Sequence, residues 1–186
     1  MTKEEMDKKV LALIEELNPD SELLTDDPDI SAKLNYVTNQ VMFELCRMRK
    51  ICKYGEMEVT KGDLVTFDDV GGAVGYEIYQ LGTVCGVDHV FKANGTVIKV
   101  LESGTLEVDC FVYPERITEE TPGSYEFELS QDVLEIMPYG IAADLLKSDI
   151  STEYGAVYAN RYETMLQRLD ARYNMTSIFI DGGVNV

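Results

Sequence analysis

Apolar residues recur at helical spacing near both ends of this chain and alternate with polar residues in its middle. The first segment opens with Thr2 and Glu5, which have the spacing of a capping box. Its helical positions are Met6, Val10, Ile14 and Leu17. The pair Asn18-Pro19 then predicts the end of this first helix. Residues 18–29 are acidic and proline-containing, which is typical of a connector.

A second helix is predicted to begin at Pro28, with Asp27 as its cap. Its apolar stripe consists of Ile30, Leu34, Val37, Val41, Leu45 and Met48. Four cations, Arg47, Arg49, Lys50 and Lys53, follow in what we expect to be its last turns. Cations favour the negative end of the helix dipole, so the pattern predicts one long helix of about 24 residues.

Alternation replaces helical spacing between residues 56 and 128. Val87, His89, Phe91 and Ala93 share one face of a predicted strand, and Asn94-Gly95 is typical of a two-residue hairpin turn. A return strand at 96–101, a turn at 102–104 and a strand at 105–113 complete a predicted β-meander. We expect further strands at 57–60, 64–67, 76–81 and 125–129.

Helical spacing returns after Ser130, which is a suitable N-cap. Pro138 lies inside this third helix and predicts a kink or a restart. A fourth helix carries Tyr154, Tyr158, Tyr162, Met165 and Leu169. Residues 176–180 are predicted to form a terminal strand, followed by a glycine-containing tail.

These elements predict an α+β fold, in which helices from both ends of the chain form one bundle and an antiparallel β-rich subdomain is inserted between them. The predicted parts are N-terminal helices at 1–55, the inserted subdomain at 56–129, C-terminal helices at 130–175, and the terminal strand and tail at 176–186.

The net charge of the chain limits the kinds of partner that it can bind nonspecifically. The chain has 186 residues, 16 Lys plus Arg and 34 Asp plus Glu, for a net charge of −18. Nonspecific binding to DNA or anionic lipid needs clustered cations, so this composition argues against both. The opening residues lack the apolar stretch of a signal peptide, and no window is apolar enough to cross a bilayer.

Residues that could carry chemistry are few and scattered. Cys46, Cys52, Cys85 and Cys110 contain no C-x-x-C pair, so we expect free thiols in a reducing cytosol and no zinc. The segment Gly71–Gly75 fits neither dinucleotide-binding nor phosphate-loop patterns, which favours a flexible loop between strands. The single histidine, His89, is predicted to pack on its strand. We therefore expect no catalytic residue, metal or cofactor.

Two groups of residues are candidates for subunit contacts. Tyr154, Tyr158 and Tyr162 form a stripe that suits half-buried surfaces, either inside the bundle or between subunits. Arg47, Arg49 and Lys50 belong to the one cationic run. They either stabilise a helix end or contact a phosphate backbone or an acidic neighbouring subunit.

The C-terminal third resembles a family. The segment "YEFELSQDVLEIMPYGIAADLLKSDISTEYGAVYANRYETML" is similar to the tail region of bacteriophage neck proteins, the head–tail connector or adaptor class. The similarity is carried by Tyr125, Phe127, Leu129, Pro138, Tyr139, Ala142, Leu145, Leu146, Asn160, Arg161, Tyr162, Glu163, Met165 and Leu166. The closing "SIFIDGGVNV" and the second helix also resemble such proteins, whereas 71–75 and the sheet depart from them.

This resemblance implies a non-enzymatic virion protein, assembled in the host cytoplasm as a ring of about twelve copies between the portal and the tail or stopper protein. DNA would pass through the ring without specific binding, because acidic walls repel it. A tail-completion or other tail protein is the alternative within this class. Two alternatives come from other classes of protein. One is a small enzyme or ligand-binding module that uses the β-rich middle, and the other is an acidic protein that mimics nucleic acid.

Overall fold

The computed structural model describes residues 1–14, 28–146 and 153–176, and it leaves aside the side chains of 28–31, 153–154 and 170–176. Its helices are α1 Lys3–Leu13, α2 Pro28–Met48, α3 Phe67–Val74, α4 Gln131–Leu145 and α5 Glu153–Thr176. Its strands are β1 Ile51–Val59, β2 Leu64–Thr66, β3 Ile78–Cys85, β4 His89–Lys92, β5 Val97–Val100 and β6 Gly104–Val112. The predicted α+β fold is confirmed.

The chain divides into two compact units. Unit 1 combines Met1–Val41 with Thr118–Val186, and unit 2 is Met42–Ile117. The two chain ends therefore share unit 1, and all six strands belong to unit 2. One border lies within α2, and the other follows β6, whereas the predicted borders follow residues 55 and 129.

Unit 1 is built from helices that pack through apolar faces, with α4 contacting both α1 and α5. Its buried apolar residues include Met6, Val10, Leu11, Phe127, Leu129, Val133, Leu134, Ile136, Met137, Ile141, Ala142 and Leu169. The predicted capping box is confirmed, since the Thr2 hydroxyl accepts the Glu5 N–H at 3.2 Å and the Glu5 carboxylate accepts the Thr2 N–H at 3.0 Å.

The predicted strand at 125–129 is reduced to a single antiparallel bridge between Thr2 and Glu126. The Lys3 N–H donates to the Tyr125 carbonyl at 2.8 Å, and the Phe127 N–H donates to the Met1 carbonyl at 3.3 Å. Met1 and Thr2 are the pairing partners here, and the pairing stops where α1 begins at Lys3.

Unit 2 holds two antiparallel three-stranded sheets, in the orders β1-β6-β3 and β2-β5-β4. They share a core of Val59, Val65, Val70, Ile78, Ile98, Val100, Leu106, Val108, Cys110 and Val112. The predicted meander is wrong, because β5 and β6 do not pair. Strand β5 pairs with β2 and β4, and β6 is the central strand of the other sheet. Alternation along β6 shows which face is buried, but it does not show which strand lies beside it.

The second helix is shorter than predicted. It ends at Met48, and β1 begins at Ile51, so Cys52 and Lys53 lie on a strand instead of a helix. Side chains of β1 alternate between half-buried and exposed, as a period of two requires. The helical prediction extended too far because Arg49, Lys50 and Lys53 were assigned to the last helical turns, whereas all three follow the end of α2.

The segment Gly71–Gly75 is not a flexible loop. It completes α3, whose first residues follow a second capping box formed by Thr66 and Asp69. Gly75 ends the helix in the left-handed conformation at φ 76°, which glycine adopts without steric cost. Gly71 allows a close approach, because a Cβ there would lie 2.9 Å from the Tyr76 carbonyl oxygen.

The hairpin predicted at Asn94-Gly95 is present between β4 and β5, but its connection is longer than two residues. Lys92 and Val97 form the last pair, and Ala93, Asn94 and Gly95 all have positive φ. Three consecutive left-handed residues reverse the chain where a two-residue turn was expected.

The third predicted helix is α4, which continues through Pro138 without a restart. Ser130 is its N-cap residue, although the hydroxyl donates to the Asp132 carboxylate and caps no backbone N–H. The first helix is shorter than predicted, because α1 ends at Leu13 with Ile14 as its C-cap instead of continuing through Leu17. The terminal strand predicted at 176–180 is wrong at Thr176, which belongs to α5, and its remaining residues and the cap Asp27 lie outside the described residues.

Candidate interaction surfaces

The tyrosine stripe makes contacts within unit 1. The Tyr158 hydroxyl donates to the Leu13 carbonyl at 2.7 Å, at the end of α1. The Tyr162 ring lies so close to Gly140 of α4 that a Cβ at this glycine would be 2.8 Å from the ring. Tyr154 belongs to α5, but its side chain lies outside the described residues. Two of the three tyrosines therefore help to hold α5 on its helical neighbours.

Tyr139 connects the same two helices. Its ring lies 6.4 Å from the Tyr158 ring, and the Arg161 guanidinium stands 4.3 Å above its centroid. Such cation–π contacts contribute about 0.5–1 kcal/mol at exposed sites. Tyr139, Arg161 and Tyr162, which are among the residues that carry the family resemblance, thus take part in the packing of α4 against α5.

Arg47 makes an aromatic contact in unit 2. Its guanidinium donates a hydrogen bond to the Tyr113 hydroxyl and stands 5.4 Å from the centroid of that ring. Phe43 and Tyr79 flank Tyr113 at 5.2 and 4.9 Å between centroids. The hydrogen bond from Arg47 to Tyr113 raises the pKa of the guanidinium above its ordinary value.

Burial raises the pKa values of two neighbouring groups, the Cys46 thiol and the Tyr79 hydroxyl. It raises the pKa of the Cys46 thiol to about 11 and, together with the nearby Cys46 and Tyr113, that of Tyr79 to about 12. The Tyr79 hydroxyl donates to the Cys46 carbonyl at 3.2 Å. Both groups therefore stay protonated at neutral pH and act as structural donors.

The other members of the cationic run also have partners. The Lys50 ammonium donates to the Gln80 amide oxygen at 2.9 Å and lies 4.6 Å from the Phe111 ring centroid. The Arg49 backbone N–H donates to the Leu45 carbonyl at 3.0 Å, close to the end of α2. These contacts agree with a structural role, and they leave the proposed subunit contacts of Arg47, Arg49 and Lys50 as predictions.

A row of carboxylates on the outer face of β1-β6-β3 was not anticipated. Glu56, Glu58, Glu107 and Asp109 point away from the shared core, and we call them the acidic face. Glu56 and Glu107 are directly paired across the strands, an arrangement that repels. The signal was present in the sequence as alternating acids, but their juxtaposition depends on which strands pair.

The outer face of β2-β5-β4 has the opposite character. Leu64, Lys99 and Val90 form one row across the three strands, and Lys92 lies in the next row. Leu64 is 58% exposed and Val90 41% exposed. Leu101 follows directly after β5 and is 40% exposed. We call these five residues the lysine face.

An enzyme hypothesis would gain from a histidine, a cysteine and a carboxylate within hydrogen-bond distance of one another. Among the described residues, the contacts of His89 include neither a cysteine nor a carboxylate. Its Nδ1 lies 2.9 Å from the Val87 carbonyl oxygen, and its ring meets Phe91 edge-on at 5.4 Å. The Cys85 thiol instead donates to Glu107 at 3.4 Å, which raises the pKa of the thiol and so opposes thiolate formation. Among the described residues no group of three or more potential ligands could hold a metal ion.

Two surface depressions are lined by described residues other than the histidine and the cysteines. One of about 220 Å³ on unit 1 is lined by Asp132, Glu135, Ile136, Met165, Arg168 and Leu169. Another of about 470 Å³ on unit 2 is lined by apolar, amide, hydroxyl and glycine residues, including Phe67, Tyr79 and Asn94. Neither includes His89 or a cysteine.

Within the described ranges, none of the helices is both long and apolar enough for a bilayer span. Comparison with known proteins adds no relative. No protein-family model matches the chain, and no curated protein matches it.

Proposed function

We propose that this chain is a structural subunit of a phage or prophage particle that joins the head to the tail, without an enzymatic activity of its own. The observation that carries the proposal is the resemblance over residues 125–183 to connector proteins. Tyr139, Tyr158, Arg161 and Tyr162, all within this segment, meet in the α4–α5 contact. Three of the residues that carry the resemblance, Tyr139, Arg161 and Tyr162, thus belong to one packing arrangement, which supports the proposal.

The charge of the chain supports the same role. A net charge of −18 suits a wall along which DNA slides, since phosphate groups gain nothing by binding it. In this proposal copies assemble into a ring of about twelve between the portal and the tail or stopper protein. A position within the tail itself is the second form of the proposal.

Gold-labelled antibodies against this chain test the proposal on purified particles from the source bacterium. Label confined to the junction between head and tail is the expected result. Label along or at the tip of the tail would move the chain to the alternative, and particles free of label would overturn the proposal. Deleting the gene should yield separate heads and tails, whereas intact infectious particles would contradict it.

A further inference from the structure

Unit 2 presents two outer faces of opposite charge on opposite sides of one core. The inward residues of both sheets, such as Ile98 and Leu106, are fully buried in the shared cluster. The outward residues of the two sheets therefore point away from each other. On one side lies the acidic face, and on the other lies the lysine face.

The acidic face lacks internal compensation. None of its carboxylates takes part in an ion pair with a described residue. Glu56 accepts from the Tyr54 hydroxyl at 2.7 Å, and Glu58 accepts from the Thr105 hydroxyl at 2.7 Å. The cross-strand pair of Glu56 and Glu107 repels inside each subunit, so a cationic surface placed against it would relieve this repulsion.

The lysine face has the matching properties. Lys92 and Lys99 form no ion pair within the described part of the chain, and they stand among the exposed side chains of Leu64, Val90 and Leu101. An apolar centre with charges around it is the usual composition of a contact surface. The nearest carboxylates along these strands belong to Asp63, which precedes Leu64, to Asp88, whose carbonyl accepts the Leu101 N–H at 2.8 Å, and to Glu102, which follows Leu101.

We propose that the lysine face of one copy docks on the acidic face of the next copy. In a chain of charge −18, a second copy is repelled by most of the surface, and the lysine face offers it a cationic, apolar exception. Because the two contacting surfaces differ, the contact is head-to-tail, and repeating it gives a ring or an open filament. The inference deepens the proposed function, and it rests on that function for the role of the assembly.

The experiment reverses the charge of each face in the full-length chain. One variant carries Lys92→Glu with Lys99→Glu, and the other carries Glu56→Lys with Glu107→Lys. Sedimentation velocity at low ionic strength should show concentration-dependent assembly of the wild-type chain and at least tenfold weaker assembly of each variant alone. Circular dichroism confirms that each variant is folded.

Mixing the two variants provides the decisive measurement. Each then meets a copy with complementary faces, so the mixture should assemble as an alternating oligomer although neither variant assembles alone. Matched controls change charge elsewhere, with Lys8→Glu and Lys9→Glu on α1, and Glu119→Lys and Glu120→Lys in the loop before α4. These pairs should leave assembly within about threefold of the wild type.

Carbodiimide cross-linking identifies the contact directly. Peptides that join Lys92 or Lys99 to a carboxylate of the acidic face are expected. A wild-type chain that stays monomeric at every concentration and yields no such peptide would overturn the inference. So would a mixture that fails to assemble. Neither result touches the labelling of particles, because labelling reports where the chain lies in the particle and not which of its faces meet, so the two proposals fail separately.

Discussion

Gly140 of α4 lies directly against the Tyr162 ring of α5. A Cβ there would lie 2.8, 3.0 and 3.1 Å from the Cε2, Cζ and Cδ2 atoms of Tyr162, and a rigid ring cannot move aside like a flexible chain end. This contact explains why a residue of low helix propensity occupies a buried helical position.

Replacing this glycine tests the contact. Gly140→Ala should lower the free energy of unfolding by about 1–2 kcal/mol, because overpacking outweighs the gain in helix propensity. Gly72→Ala in α3 is the matched control, since a Cβ there meets nothing within 4 Å, and it should raise stability by up to about 1 kcal/mol. Urea unfolding of both variants measures the difference, and equal shifts of the same sign would contradict the packing.

Cys85 is an exposed thiol whose pKa is raised chiefly by its hydrogen bond to Glu107. The hydrogen bond to Glu107 and the negative charge beside it raise the pKa of Cys85, which lowers the thiolate fraction at a given pH. Exposure alone would predict a rapidly reacting cysteine, whereas the structure predicts a slow one.

Glu107→Gln should therefore accelerate alkylation of Cys85 by iodoacetamide at pH 8, as followed by mass spectrometry of the peptides. Glu58→Gln is the control, because Glu58 lies on the same face and bonds Thr105 instead of the thiol. An unchanged rate after Glu107→Gln, or an equal acceleration by Glu58→Gln, would show that the carboxylate does not restrain the thiol.

At the level of elements, a long-range hydrogen bond from the Tyr158 hydroxyl to the Leu13 carbonyl ties α5 to α1. The C-terminal carbonyls of a helix lack partners within the helix, so this phenol satisfies one of them. The bond gives Tyr158 a structural role irrespective of any contact with another subunit.

Tyr158→Phe should lower the free energy of unfolding by about 1 kcal/mol, because the half-buried carbonyl loses its donor. Tyr36→Phe is the control, since Tyr36 is 70% exposed, and it should change stability little. Thermal unfolding by circular dichroism provides the comparison. A Tyr158→Phe variant as stable as the wild type would assign the hydroxyl to solvent or to a partner instead.

Several elements were predicted correctly from local sequence patterns. The helix after Thr66 was not, because glycines obscured its local signal. The capping box at Thr2 and the apolar stripe of α2 were predicted because their determinants lie within a few residues of one another. The capping box at Thr66 was overlooked beside the glycines that follow it, although the spacing of Thr66 and Asp69 was visible. Glycine-rich sequence suggested a loop where a capped helix forms.

At the scale of the whole molecule, self-repulsion is the dominant electrostatic property. A charge of −18 stores unfavourable energy in the compact state, and the unfolded chain relieves part of it by expansion. Salt screens such repulsion over about 8 Å at physiological ionic strength.

The unfolding temperature should therefore rise as sodium chloride is added from low to physiological concentration at pH 7. Differential scanning calorimetry measures this effect. Comparison with sodium sulfate at equal ionic strength separates screening from general salt effects on apolar burial. A temperature that falls with added chloride would show that favourable ion pairs outweigh the repulsion.

Some residues of the candidate surfaces were predicted from the sequence, and others were found only in the structure. Tyr158, Arg47 and Lys50 were selected from the sequence as contact residues, and the structure shows that each has a partner within its own unit. The acidic and lysine faces were missed because their members come from strands that are distant in sequence. Glu56 and Glu107, for example, meet only through the pairing of β1 with β6.

The sequence alone determined the α+β class, the acidic character and the helical ends of the chain, because periodicity, capping and charge are local or additive properties. Tertiary structure decided that β6 pairs with β1 and β3, that residues 67–75 form a capped helix, and that charges segregate to opposite faces of unit 2. Strand order and side-chain neighbours are set by which distant apolar faces bury one another, and an alternating pattern carries no record of that choice.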